Sequence, residues 1–181
     1  MMQPRFDYNL KEELFKAIED EFGGAKIAQK YIESKDVSVF EEWGKSLMEK
    51  TYKLGTEPGF VDHLYEMVQL VSEKTGEVRF PHEAQRFIEL ACLSIHLMSV
   101  VLIQTAYHKE LSFSIVEGTC TVHNKLKEAL SEEELKSLPC KGGCKTAWQT
   151  IFNILKMDDV EVSQTQEIPC DGMCTFLAPR K

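Results

Sequence analysis

Two copies of one short phrase stand in the last quarter of the chain, and they organise the rest of it. The first is Pro139-Cys140-Lys141-Gly142-Gly143-Cys144, and the second is Pro169-Cys170-Asp171-Gly172-Met173-Cys174. Both read Pro-Cys-x-Gly-x-Cys, and together they hold four of the six cysteines. Because glycine adopts backbone angles that other residues resist, the phrase predicts two tight turns, each of which directs two sulfurs to one point.

Four thiolates from two such turns are a typical ligand set for a tetrahedral zinc ion or for an iron-sulfur cluster. The sequence therefore predicts a metal site formed by Cys140, Cys144, Cys170 and Cys174. Zinc-binding turns more often have two residues between their cysteines than the three found here, whereas an iron-sulfur cluster accepts looser spacing. Both cofactors stay open.

A further pair, Cys120 and His123, forms a Cys-x-x-His pattern shortly before the first phrase. One cluster or metal could take Cys120 in place of one of the four cysteines, with His123 as an additional ligand. The alternative is that both residues belong to an ordinary junction between a strand and a helix.

Thiol chemistry is the main alternative to a metal at the two phrases. Paired cysteines in a reducing compartment are metal ligands or redox groups more often than structural disulfides. Lys141 and Lys145 flank the first pair and would lower a thiol pKa, whereas Asp171 beside the second pair would raise it. If the pairs act as thiols, we expect Cys140 and Cys144 to be the more reactive.

Composition limits the class of protein. The chain has 181 residues, of which 43% are hydrophobic and 28% charged, and this fits a single globular domain spanning residues 1–181. A net charge of -8 argues against a nucleic-acid partner, because phosphate binding needs clustered lysine and arginine. No basic and apolar leader opens the sequence, so we expect a cytoplasmic protein.

The first part of the chain, residues 1–108, has the periodicity of helices. Apolar residues recur at helical spacing near residues 10–22, 25–34, 38–55 and 60–71, and Ser38 with Glu41 predicts a capping box. The most apolar segment, Pro81 to Tyr107, is interrupted by charged residues and lacks a run of roughly 18 apolar ones. It therefore predicts a central buried helix, not a membrane span.

The second part, residues 109–181, mixes strands and helices. Apolar and polar residues alternate over Leu111–Ile115, and helices are expected at about 121–130 and 147–155, with a capping box at Ser131 and Glu134. Strands are expected near 160–162 and 175–177. The sequence thus predicts an α+β fold, in which a helix-rich N-terminal part packs on a small antiparallel sheet with a C-terminal cysteine-rich site.

The segment from Leu111 to Ala178 resembles the 4-vinyl reductase domain family and the related aminothiazoline-carboxylate hydrolase-like proteins. The resemblance rests on the helix with Trp148 and Leu155, the strand Val160-Glu161-Val162, and the stretch from Glu167 through Cys170 and Cys174 to Phe176. It implies a cupped mixed domain that binds an apolar or tetrapyrrole-like small molecule and acts as a sensor.

Two classes of function follow. The first is a small-molecule-binding or sensor-type domain with a cysteine-ligated zinc or iron-sulfur site. The alternative is a hydrolase or thiol-redox enzyme that uses a reactive cysteine at the same place. The sequence has neither a phosphate-binding glycine loop nor a His-Glu-x-x-His motif. The oligomeric state stays open, with a homodimer as one alternative.

Overall fold

Helices come first along the chain and most of the sheet comes later. The computed structural model describes residues 12–57, 74, 82–107 and 109–181. The helices are α1 (Glu12–Phe22), α2 (Gly24–Ser34), α3 (Ser38–Thr56), α4 (His82–His96), α5 (Thr121–Ala129), α6 (Glu132–Lys136), α7 (Lys141–Ile154) and α8 (Ile168–Asp171). The strands are β1 (Val101–Tyr107), β2 (Glu110–Val116), β3 (Ser163–Gln166) and β4 (Met173–Pro179).

The strands form one antiparallel sheet in the order β1-β2-β4-β3. On β2, Phe113 lies opposite Ile103 of β1 and opposite Phe176 of β4, so these three side chains share one face of the sheet. The predicted α+β class, with helices packed on a small antiparallel sheet, is confirmed.

An aromatic cluster joins α7 to that face of the sheet. The rings of Phe113 and Trp148 are 4.1 Å apart, and those of Phe113 and Phe176 are 5.2 Å apart and stacked. Each of the three side chains is at most 1% exposed. Because buried aromatic rings contribute large apolar areas, this cluster fixes α7 against β2 and β4.

Helices α3 and α7 pack closely against each other, and this contact depends on glycine. A Cβ atom at Gly44 would overlap the carbonyl oxygen of Gly143 and lie 2.9 Å from the backbone nitrogen of Ala147. A Cβ atom at Gly143 would lie 3.1 Å from the carbonyl oxygen of Phe40. The two helix backbones therefore touch at this point, without side chains between them.

Hydrogen bonds tie further helices to α3. The indole Nε1 of Trp43 donates to the carbonyl oxygen of Phe22 over 2.9 Å, which links α3 to the end of α1. The hydroxyls of Thr51 and Ser94 are 3.0 Å apart and buried, which links α3 to α4. Buried hydroxyls need such partners, so the pair favours one register between α3 and α4.

The predicted helix over residues 81–107 is wrong in its last third. Helix α4 ends at His96, and β1 begins at Val101. The Nδ1 atom of His96 accepts a hydrogen bond of 3.3 Å from the backbone nitrogen of Val101 and so closes the turn between them. An apolar run does not by itself distinguish a helix from a strand, and pairing with β2 decides the matter here. The part expected to be helical, residues 1–108, thus supplies one strand.

The capping predictions had different outcomes. Ser131 and Glu134 form the predicted capping box, with hydrogen bonds of 3.3 Å and 2.9 Å. The box at Ser38 is wrong, because the residue before α3 is Val37 and the backbone nitrogen of Ser38 donates to the Asp36 carboxylate instead.

Of two other predicted segments, one differs from the structure and one falls outside the residues that the structure describes. The strand expected at 160–162 begins at Ser163, and Val160 forms only an isolated bridge with Arg180. The helix predicted over 60–71 lies outside the described residues. Among the helices that the structure describes, none is both long and apolar enough to cross a membrane.

The contact of α3 with α7 makes a testable prediction. In Gly44→Ala the new methyl group meets backbone atoms that cannot rotate away, so we expect the free energy of unfolding to fall by about 1–3 kcal/mol. Denaturant unfolding measures this loss.

Gly142→Ala is the matched control, because its Cβ would meet only the flexible Glu41 side chain at 3.0 Å. Alanine is favoured over glycine inside a helix by up to about 1 kcal/mol, so this variant should be as stable as the parent protein or more so. Equal stability of the two variants would contradict the packing described here.

Candidate functional site

The first cysteine phrase lies at the beginning of α7 and does not form the predicted tight turn. Cys140 immediately precedes α7, and Cys144 lies in its first turn. Gly143 is buried against the Trp43 ring, to which its Cβ would come within 3.1 Å. Packing against α3 thus places this glycine in a helix, where local propensity alone favours a turn.

The second phrase does contain a turn. Pro169 and Cys170 lie in the short helix α8, and Gly172 follows in the left-handed region with a φ of 70°. The chain then enters β4, where Cys174 is buried on the same face as Ile115. Cys170 is exposed. The turn therefore separates the two cysteines of this phrase and does not direct both to one point.

Cys120 lies at the junction between β2 and α5. It occupies the position before the first residue of α5, and its sulfur accepts a hydrogen bond of 3.4 Å from the backbone nitrogen of His123. The sulfur thereby caps the helix as a serine hydroxyl would. Cys120 thus lies between a strand and a helix with its thiol buried, and its role as a metal ligand stays a prediction.

Four thiols from three separate segments are linked by electrostatics: Cys120 before α5, Cys140 and Cys144 at the start of α7, and Cys174 in β4. Negative charge on Cys120 and Cys174 raises the pKa of Cys140, and charge on Cys120, Cys140 and Cys174 raises that of Cys144. The structure thus groups Cys120 with three of the four predicted ligands. The exposed Cys170 is not among the charges that act on them.

Burial is the largest cause of the raised thiol pKa values. It raises the pKa of Cys140 and Cys144 well above the ordinary value of 9.0, and it raises that of Cys174 to about 11. Burial also raises the pKa of Cys120. All four are therefore neutral thiols near neutral pH when no cation is bound.

The expectation that lysines activate the first pair is wrong. Lys141 is exposed and forms an ion pair with Glu167 at 4.0 Å, and Lys145 is also exposed. Desolvation outweighs their charge, because solvent screens exposed ammonium groups. We therefore expect Cys140 and Cys144 to react slowly as thiols.

Glu167, which is part of the family resemblance but not of the predicted ligand set, is a neighbour of the site. Its charge contributes to the raised pKa of both Cys140 and Cys174. It directly precedes the short helix α8, and its backbone nitrogen donates a hydrogen bond of 2.9 Å to the Asp171 carboxylate. Its position two residues before the second phrase is a sequence signal that could have identified it.

His123 is 4% exposed, and its Nδ1 atom has no hydrogen-bond partner among the residues that the structure describes. Burial lowers the pKa of its imidazole, and the charges that act on it belong to Glu117 and Lys127. The ring is therefore neutral near neutral pH, as a metal-binding histidine must be. Whether His123 binds a metal stays a prediction.

The thiols are near one another but are not arranged as a finished coordination site. Within residues 12–57, 74, 82–107 and 109–181, no group of three or more His, Cys, Asp or Glu side chains is placed to hold a metal ion. Electrostatic interaction links Cys140 and Cys144 with Cys120 and Cys174, and metal binding by these four is a hypothesis.

Comparison of the chain with protein-family models, curated proteins and solved structures gave no match. The resemblance to the 4-vinyl reductase domain family accordingly stays a prediction.

The exposure of the cysteines predicts their order of alkylation. At neutral pH we expect N-ethylmaleimide to modify Cys170 at least about ten-fold faster than Cys140 or Cys144, because Cys170 is exposed, whereas Cys140 and Cys144 are half-buried and desolvation raises their pKa. Mass spectrometry of peptides from a time course on native, metal-free protein measures the rates. The same protein in guanidinium chloride is the control, and native labelling of Cys140 as fast as Cys170 would refute this order.

The raised pKa values predict how stability depends on pH. Above pH 9.0 a thiol in the unfolded chain loses its proton, while Cys174 in the folded protein keeps its own until about pH 11. The free energy of unfolding of the metal-free protein should therefore fall across this interval, by at most about 1.4 kcal/mol per pH unit for each such thiol.

Denaturant unfolding at several pH values measures this slope, and in Cys174→Ser the slope should be smaller. An equal slope in the parent protein and in this variant would show that Cys174 does not contribute.

Proposed function

We propose that the protein is a binding or sensor-type domain in which Cys120, Cys140, Cys144 and Cys174 bind a thiophilic metal centre, either a zinc ion or an iron-sulfur cluster. One observation carries the proposal. The four thiols belong to three distant segments of the chain, and charge on Cys120 and on Cys174 raises the pKa of both Cys140 and Cys144.

The electrostatics of this grouping favour a cation. Because charge on neighbouring thiols raises the pKa of Cys140, Cys144 and Cys174, a positive charge between the thiols would favour their joint ionisation. A bound metal ion reverses this effect and deprotonates the coordinating thiols. Metal binding would thus release protons, and its affinity would increase as the pH rises.

The four sulfur donors and their position at a helix N-terminus suit either a zinc ion or an iron-sulfur cluster. Sulfur is the donor that zinc and iron-sulfur clusters prefer, and four sulfurs complete either site. Cys140 and Cys144 lie at the N-terminus of the 14-residue helix α7, where the helix dipole favours the negative charge of a thiolate-bound centre. Because the side chains are not yet placed as ligands, binding requires the thiols to turn towards a shared point.

Such a centre would connect three parts of the fold. It would join the start of α5, the start of α7 and strand β4, and α7 carries Trp148 into the aromatic cluster on the sheet. Metal binding would therefore be linked to folding and to the position of α7 on the sheet. A sensor needs this kind of link between a bound group and a packed element.

The small-molecule part of the proposal rests on the resemblance to the 4-vinyl reductase domain family. An apolar or tetrapyrrole-like compound is the ligand class that this resemblance implies. Thiol ligands also need a reducing environment, which fits a cytoplasmic location.

The alternative of a hydrolase or thiol-redox enzyme is less well supported. A nucleophilic cysteine needs an accessible thiol with a lowered pKa, and the pKa of Cys140, Cys144 and Cys174 is raised. These three thiols are suited to metal binding more than to attack on a substrate.

Serine variants test the metal centre. Cys144→Ser and Cys120→Ser should lose at least about half of the bound metal and melt at a lower temperature, because a ligand lost from a structural metal site also weakens the fold. Metal analysis and visible absorption of anaerobically purified protein measure both the amount and the kind of metal. Iron with acid-labile sulfide would identify a cluster, and colourless protein with zinc would identify a zinc site.

Cys170→Ser is the matched control, since it makes the same chemical change at the exposed cysteine. It should keep its metal and its melting temperature. Full metal content in Cys144→Ser, or an equal loss in Cys170→Ser, would overturn the ligand set proposed here.

A further inference from the structure

We propose that the indole N–H of Trp148 donates a hydrogen bond to the sulfur of Cys144 when that sulfur binds a metal. This inference rests on the metal centre proposed above, and it adds to that centre a residue that is not a ligand. It starts from a buried hydrogen-bond donor to which the protein itself supplies no acceptor.

The indole nitrogen of Trp148 is buried without a partner. The side chain is 0% exposed, and Nε1 donates no hydrogen bond within the residues that the structure describes. The other tryptophan of the chain, Trp43, donates its indole N–H to the carbonyl oxygen of Phe22 over 2.9 Å. Leaving a buried donor unsatisfied costs free energy, so such a group in a native fold needs an explanation.

The same feature occurs at one other place, and that place also adjoins a cysteine of the site. Among the buried side-chain nitrogen and oxygen atoms of the described residues, those without a partner are Nε1 of Trp148 and Nδ1 of His123. His123 follows Cys120 by three residues, and Trp148 follows Cys144 by four. Both unpartnered atoms thus belong to helices that carry thiols of the proposed centre.

The geometry of α7 places Cys144 and Trp148 next to each other. Residues four apart in an α-helix share one face, and a long side chain in a helix leans over the turn that precedes it. On this face of α7 the turn before Trp148 holds Cys144. The next member of the same column is Phe152, whose ring lies 6.3 Å from that of Trp148.

The sheet repeats this neighbourhood on its own side. The ring of Trp148 lies 4.1 Å from that of Phe113, which stacks on Phe176 of β4. Cys174 precedes Phe176 by two residues in β4 and therefore lies on the same face of the sheet. On both α7 and β4, the residue of the aromatic cluster is thus adjacent to a cysteine of the site.

Metal binding changes the sulfur from a weak acceptor into a strong one. A neutral thiol accepts hydrogen bonds poorly, whereas the thiolate that binds a metal is negatively charged and accepts charge-assisted ones. The indole nitrogen is a donor only, so it can serve the thiolate without competing for the metal. Hydrogen bonds to ligand sulfurs strengthen a metal site and tune its chemistry.

The bond also gives the proposed sensor a route to the sheet. The indole that would contact the Cys144 sulfur is the one that packs on Phe113 of β2. Occupation of the centre would therefore alter the packing of the aromatic cluster.

Nuclear magnetic resonance of the ¹⁵N-labelled full chain tests the bond, with ¹¹³Cd²⁺ alone as the probe. The two tryptophans give two indole N–H signals, which Trp43→Phe and contacts with the Phe113 ring assign. On binding of cadmium, the indole proton of Trp148 should move downfield and show a scalar coupling to ¹¹³Cd through the sulfur, and that of Trp43 should do neither. Nuclear Overhauser contacts with the Cβ protons of Cys144 should identify the sulfur.

Replacing Trp148 with benzothienylalanine tests the effect on affinity, since this analogue keeps the shape of the indole and has sulfur in place of N–H. The affinity for cadmium should fall by about ten- to a hundred-fold, as for other groups that support metal ligands. The melting temperature of the metal-free protein should stay the same or rise, because an unsatisfied donor is removed.

The same replacement at Trp43 is the matched control. It removes an N–H that has a partner, so it should lower the melting temperature of the metal-free protein and leave the affinity for cadmium unchanged.

The outcomes separate this inference from the proposed function. A chain that binds no cadmium would overturn both. Bound cadmium without a shift and coupling at Trp148, or with contacts to a cysteine other than Cys144, would overturn only the hydrogen bond. An unchanged cadmium affinity in the Trp148 analogue, or a lower melting temperature of its metal-free form, would do the same.

Discussion

The contact between the backbones of α3 and α7 is the constraint on which the rest of the structure depends. Gly44 and Gly143 allow the two helices to touch, and any side chain at Gly44 would overlap backbone atoms. This contact fixes where α7 begins and how it lies on the sheet. It therefore determines the position of Cys140 and Cys144 at one end of α7 and that of Trp148 further along the same helix.

The grouped thiols follow from three different kinds of local structure. Cys120 caps a helix, Cys140 and Cys144 begin another, and Cys174 lies in a strand with its side chain on the buried face. Burial raises the pKa of all four thiols, and charge on neighbouring cysteines adds to this effect at Cys140, Cys144 and Cys174, which opposes nucleophilic chemistry. The same arrangement is favourable for a metal, because a cation compensates the charge that the protein alone disfavours.

Regular patterns in the sequence predicted the elements that depend on local interactions. The helix at 25–34, the strand at 111–115 and the capping box at Ser131 were all predicted correctly, because each is decided by neighbouring residues. The strand at 101–107 was not, since its apolar run fits a helix equally well and only pairing with β2 selects a strand. The start of α7 was missed for a similar reason: α3 imposes a helix on two glycines that favour a turn.

The sequence by itself determined the α+β class, most of the helices and the concentration of cysteines near the C-terminal end, because periodicity and composition are local properties. Tertiary structure alone decided which cysteines influence one another's electrostatics. The repeated phrase made Cys170 and Cys174 appear equivalent, but Gly172 turns the chain so that Cys174 enters the buried face of β4 and Cys170 stays exposed. Cys120 influences the pKa of Cys140 and Cys144 because its position between β2 and α5 brings it near them in the fold, and residue spacing does not encode such proximity.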